Sequence, residues 1–314
     1  MQSMQEKTEQ PKIINYLIKF GISAGLLFLI IRSVNLEEAL ASLSKVPLGI
    51  LAIALCLQLA STGIASFRWF IIMRRMGSVE NFLFFLKSYF KGTFFNQGLP
   101  TSIGGDGIRI LDCSRATGSV RDGFFGVFID RFAGLAGLLI LNICALALGG
   151  DILPPRIRYL LFTVLILLLF ALIVLLYLRR FQLFTRTRWL GIIGQLSERY
   201  FQVYSTPLSI SMQIGLSILI HLCAMTAFYL LGIGVDLNYP LTVYLVLVPP
   251  VILLTLLPIS LAGWGIREGA MVGFFLFVGA DKAKVLSFSI LYGILVLVHS
   301  LPGLYVYLVQ KNKL

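Results

Sequence analysis

The sequence predicts an all-α polytopic membrane protein: an inverted repeat with two re-entrant, broken-helix hairpins and about six full spans. Three observations carry this. The 314 residues are 58% apolar and only 13% charged, with a mean hydropathy of +0.91. Soluble domains average about 45–50% apolar and about 25% charged. Six apolar runs approach the ~20 residues that cross a bilayer as a helix. Finally, one Pro- and Gly-broken motif occurs twice. The composition excludes a disordered chain, a disulfide scaffold and an ordinary soluble enzyme.

The spans are read in order. Ile13–Ile31 follows a polar stretch without a small-residue cleavage site, so it is expected to be a retained first helix. Pro47–Phe67, Phe124–Leu148, Ile157–Leu178, Pro207–Ile233 and Val285–Val309 complete the six. Two further apolar segments are irregular. Phe82–Leu99 is aromatic-rich and carries Lys87 and Lys91, and Leu241–Leu257 is interrupted by Pro249-Pro250. One integral membrane domain over 1–314 is expected, with repeat 1 at about 47–149, repeat 2 at about 207–309, and a basic cytoplasmic linker at 179–206.

Charge orients the chain. The net charge of +12 fits Lys and Arg in cytoplasmic loops better than nucleic-acid binding, which is not expected. Arg179, Arg180, Arg186, Arg188 and Arg199 mark one such loop, and Arg68, Arg74 and Arg75 another. Both termini are expected in the cytoplasm, the protein lying in the cytoplasmic (inner) membrane. Cys56, Cys113, Cys144 and Cys223 lie far apart, without metal or redox spacing. They read as small buried hydrophobes. No metal, cofactor or catalytic constellation is expected.

The repeat locates the candidate site. LPTSIGGDGIRILD starts at Leu99 and LPISLAGWGIREGA at Leu257, and the first eleven positions of each share seven identities. Three full spans separate the two motifs, and an odd number inverts the second copy. In inverted-repeat transporters, discontinuous helices meet near the bilayer midplane. Irregular backbone is tolerated there only when buried in protein or lining a wet cavity.

Proline stops the entering helix. Gly105, Gly107, Gly263 and Gly265 permit turns and close backbone approach. The N-terminus of the departing half-helix favours an anion. Arg109 and Arg267 follow within one turn, offering forks that bind phosphate bidentately, and Ser102 and Ser260 supply hydroxyls. The expected substrate cradle therefore comprises these residues and Arg131. Asp106, Asp130 and Glu268 are expected to couple protons or ions, or to form charge pairs. A charge at the bilayer centre costs about 2.5–3.5 kcal/mol on insertion scales, so these acids should pair or face water. The plainer alternative is helix packing plus a salt bridge that only fixes the bundle. His221 and His299 read as helix–helix hydrogen-bonding groups. Lys87 and Lys91, four apart on one helix face, read as facing the cytoplasmic interface.

The stretch NQGLPTSIGGDGIR, the Asp130-Arg131 pair and LPISLAGWGIREGA resemble the lysylphosphatidylglycerol synthase transmembrane-region family, the flippase-like half of the MprF proteins and their stand-alone relatives. The most specific part is Pro258, Ser260, Gly263, Gly265, Arg267, Glu268 and Gly269. Where the family usually has a Gly-Glu pair before its early hydrophobic-Arg, this sequence has Asp106-Gly107. The resemblance implies a protein that moves lipids between leaflets. The expected cargo is an anionic phospholipid, an aminoacyl-phospholipid or a polyprenyl-phosphate-linked glycolipid. The soluble aminoacyl-transferase domain is expected to be absent, so lysyl-lipid synthesis by this chain is not expected.

Expected partners are membrane lipids with phosphate headgroups, with a homodimer or a membrane enzyme as a further partner. The competing readings are a secondary transporter of a small soluble anion and a non-catalytic partner of a glycosyltransferase or lipid synthase.

Overall fold

The computed structural model describes residues 43–98, 104–181, 191–257, 259–260 and 262–311, together with single positions between 21 and 41. The described residues form helices and short connections. Five helices are long and apolar enough to cross a membrane: α1 (Leu48–Arg75), α4 (Val120–Leu148), α5 (Pro155–Tyr177), α7 (Pro207–Gly234) and α10 (Lys282–Lys311). They coincide with five of the six expected runs. The first run, Ile13–Ile31, falls almost wholly outside the described residues.

Four shorter helices occupy the broken segments: α2 (Phe82–Gly98), α3 (Gly104–Thr117), α8 (Leu241–Thr255) and α9 (Ile266–Phe275). At about 1.5 Å per residue the longest of them, α2 with 17 residues, reaches only about 25 Å. The hydrocarbon core is about 30 Å thick. None of the four crosses alone, so each pair enters and turns back. Helix α8 runs unbroken through Pro249 and Pro250 and stops at Thr255. The expected interruption at the proline pair is thus displaced to the segment that follows Thr255. There Ala262, Gly263 and Gly265 take positive φ values of 49°, 82° and 85°.

The helix ends are written in local chemistry. Ser119 caps α4 by accepting from the Asp122 N–H at 3.2 Å. Thr206 and Ser209 close a reciprocal capping box at the start of α7, where Pro207 fills the first turn.

The order long, short, short, long recurs as α1–α4 and as α7–α10. Packing follows the same rule. Helix α1 packs on its counterpart α7, α2 packs on α10 as α8 packs on α4, and α3 lies on α4 as α9 lies on α10. Two apolar cores result. One gathers Trp69, Ile72, Phe85, Phe125 and Ile129 from the first repeat, and the other Met225, Phe228, Tyr244, Phe275 and Phe288 from the second.

Helix α5 links the repeats and keeps most of its side chains on the outside. The linker it leads into contains a further helix, α6 (Gly191–Val203), packed on α1, α4 and α5. Arg199 pairs with Asp122 at 3.1 Å, Arg179 pairs with Glu198 at 3.1 Å, and the Gln202 amide donates to the Arg75 carbonyl at 3.1 Å. The basic ends of α1 and α5 and the start of α4 are therefore gathered at one end of the bundle. The start of α10 lies at the other, where the Tyr239 hydroxyl, just beyond the end of α7, donates to the Val278 carbonyl at 3.2 Å. Equivalent helices of the two repeats thus begin at opposite ends.

Candidate functional site: two arginine clusters and a cavity beside the second break

The first cluster sits where α1, α2, α3 and α4 converge. Asp130, 1% exposed, is held from both sides. Its Oδ1 accepts from Arg68 Nε at 2.9 Å, and its Oδ2 from Arg109 at 2.6 Å. Arg68 also donates to the Asp130 carbonyl at 3.0 Å and to Ser217 Oγ on α7 at 2.8 Å. Arg109 continues to Asp106 at 3.2 Å, and Asp106 accepts from Arg131 at 2.7 and 3.0 Å. The order Arg68, Asp130, Arg109, Asp106, Arg131 alternates in sign, as buried charges must.

Arg109 is also stacked between aromatic faces, its Cζ 4.1 Å from the Trp69 ring and 4.3 Å from the Tyr89 ring. The side chain of Arg131 is 40% exposed, so this cluster opens outward at that end.

The glycines of the first motif act in different ways. A Cβ on Gly105 would strike the backbone of Gly92, so α2 and α3 cross through paired glycines. Gly107 has open space beside it. The Gly105 N–H donates to Asn96 Oδ1 at 2.7 Å. Ser102 lies outside the described residues, as do Leu99, Pro100 and Pro258.

The second cluster starts α9. Glu268, fully buried, accepts from the Gly265 N–H at 2.6 Å, from Arg267 at 2.9 and 2.5 Å, and from Ser289 Oγ at 3.3 Å. Arg267 lies 4.6 Å from the Trp264 ring. It occupies space that a side chain on Gly293 would fill. Gly263 packs against Thr255, and Ser260 Oγ is buried without a hydrogen-bond partner. The N–H groups of Gly105 and Gly265, at the starts of the two departing half-helices, thus both have internal acceptors.

A cavity of about 190 Å³ lies beside this second cluster. Its lining includes Gln97 near the end of α2, Thr255 at the end of α8, Ala262 in the second break, Arg267 and Tyr292. One cavity therefore takes residues from both broken elements. Arg267 faces it, whereas Arg109 is enclosed by its own carboxylates and rings. The two arginine clusters draw on different elements.

Some of this was not anticipated from sequence. Arg68 was expected in a cytoplasmic connection with Arg74 and Arg75. It instead lies inside α1, 3% exposed and bound to Asp130, because α1 continues to Arg75. The signal was available: an aspartate in the middle of a span requires a cation, and Arg68 is the charge nearest the apolar run. Lys91, expected at the interface, is buried and paired with Asp112 at 2.6 Å, while Lys87 is exposed. The aromatic partners Trp69 and Tyr89 and the cavity residues Gln97, Thr255 and Tyr292 had no sequence signal. The histidines behave as expected. His221 Nε2 lies 2.9 Å from the Gly134 carbonyl, and His299 Nε2 lies 2.6 Å from Thr62 Oγ1.

The described residues form a helical bundle with five apolar helices of spanning length, two broken hairpins and buried arginine–carboxylate clusters, which defines an integral membrane protein of the discontinuous-helix class. The chain belongs to the lysylphosphatidylglycerol synthase TM region family, whose model matches residues 16–303. A search of curated proteins returned no match.

Proposed function

We propose that this chain is a lipid translocase rather than an enzyme. It would carry a lipid with a phosphate-bearing headgroup between leaflets, past the cavity beside Arg267. The cavity lined by Gln97 of α2 and by Thr255, Ala262 and Arg267 around the second break carries the reading. It pairs a guanidinium with polar groups at membrane depth, where an unpaired headgroup charge is strongly disfavoured. Membership of a family described as the membrane region of a lipid synthase supports a lipid rather than an aqueous cargo.

The chemistry follows from the pairing. Glu268 neutralises Arg267 at rest. A phosphate arriving beside Arg267 competes with that carboxylate for the guanidinium fork. The exchange-related packing of the repeats supports rocking of one against the other around the cavity. Acyl or prenyl tails stay in the bilayer throughout. The clustering of Arg75, Arg179 and Arg199 at one end supports a cytoplasmic position for that end, in the inner membrane, with both termini on that side.

The test is a reconstituted assay with two cargoes. Proteoliposomes should move fluorescent phosphatidylglycerol between leaflets without taking up radiolabelled inorganic phosphate. Phosphate uptake without lipid movement would instead establish a soluble-anion transporter.

A further inference from the structure

A second polar cleft lies away from the Arg267 cavity, along α3 between Ile108 and Ala116. Two adjoining cavities, of about 290 and 280 Å³, share Lys91, Asp112, Arg115 and Gln310. The cleft is bounded by α2, the last turns of α3 and the C-terminal end of α10, at the end of the bundle where α4 begins.

Its donors outnumber its acceptors. Lys91 donates to Gln310 Oε1 at 2.7 Å and forms an ion pair with Asp112 Oδ2 at 2.6 Å, so its three donors are not all used by hydrogen bonds. Among the described residues, Arg115 has no ion pair or hydrogen bond and is exposed. Ser88 lines one cavity, is 1% exposed, and its hydroxyl has no partner. Two cations therefore face one carboxylate, with a buried hydroxyl left over, and a buried hydroxyl without a partner is disfavoured.

We propose that this cleft binds a phosphate anion through Arg115, Lys91 and Ser88, as a site separate from the Arg267 cavity. A planar fork, an ammonium and a hydroxyl that line one cleft supply enough donors for the charged oxygens of a phosphate. The second cavity continues over Ile108, Leu111 and Tyr307. That apolar flank suits the first carbons of an acyl chain, so the phosphate belongs to a membrane lipid. The site would hold an anionic lipid at the basic end of the bundle.

The experiment is calorimetric titration of the full detergent-solubilised chain with dioctanoyl phosphatidylglycerol, dioctanoyl phosphatidylcholine and inorganic phosphate. It is repeated in the R267Q background so that the cavity at the breaks contributes nothing. Because Arg115 is exposed, R115Q leaves the fold intact. Phosphatidylglycerol should bind more tightly than phosphatidylcholine. R115Q should weaken that binding about tenfold, the scale of one charge-assisted hydrogen bond, and S88A by a smaller factor. Inorganic phosphate binding equally, with the same loss in R115Q, would keep the phosphate site and assign it to a soluble ligand. Unchanged binding in R115Q, or equal binding of the two lipids, would overturn the proposal. Loss of transport in R267Q with R115-dependent binding intact would separate this site from the translocation cavity.

Discussion

Arg68 and Asp130 are 62 residues apart in sequence and on different spanning helices. They meet at 2.8 Å with side chains 4% and 1% exposed. The same aspartate also holds Arg109 at 2.6 Å, so one carboxylate ties α1, α3 and α4 together.

That sharing makes the two ends of the pair unequal. D130N leaves buried Arg68 with no carboxylate and Arg109 with Asp106 alone, whereas R68Q leaves Asp130 bound to Arg109. Removing one partner of a buried ion pair typically costs about 3–5 kcal/mol. D130N should therefore lower the unfolding midpoint in detergent well below that of R68Q. The reverse order would show that Asp130 does not hold both.

Gly105 and Gly107 of the first motif should respond unequally. G105A forces a methyl group into the Gly92 backbone and should destabilise the protein by about 1–3 kcal/mol, as overpacking does. G107A enters open space and should stay within about 0.5 kcal/mol of wild type. Thermal unfolding of both variants checks this. Equal effects would contradict the crossing of α2 and α3 described above.

The fold was legible in the sequence because a bilayer demands long apolar helices, and five of them stand where their runs do. The two breaks were legible because one motif marks both. Pairing was not. A span shows that Asp130 needs a cation but not which one, and Arg68 was hidden at the edge of its apolar run. Lys91 and Asp112 are 21 residues apart on different helices, so their contact depends on how α2 and α3 cross. The Pro249-Pro250 pair misled for a local reason. The helix accommodates both prolines, and the break comes only where positive-φ positions follow.

Orientation gives a further prediction. Ser119 lies beside the basic end and Lys282 at the start of α10, near the opposite end. In a background with the four native cysteines replaced, S119C and K282C should label with a membrane-impermeant thiol reagent from opposite faces. Labelling from one face would refute the inversion of the second repeat.

Glu268 gives a prediction about the second cluster. E268Q keeps an acceptor for the Gly265 N–H but removes the charge that pairs with Arg267. Leaving that guanidinium without its carboxylate should lower the unfolding midpoint in detergent, as loss of one partner of a buried ion pair does. An unchanged midpoint would show that the pair does not hold the start of α9.

The decisive comparison is R267K against wild type in reconstituted lipid movement. Lysine keeps the positive charge beside Glu268 but not the planar fork. If the guanidinium engages a phosphate headgroup through two parallel bonds, R267K should slow movement about tenfold or more with its unfolding midpoint little changed. Wild-type rates in R267K would mean that charge alone suffices there and that the headgroup does not pass through that fork.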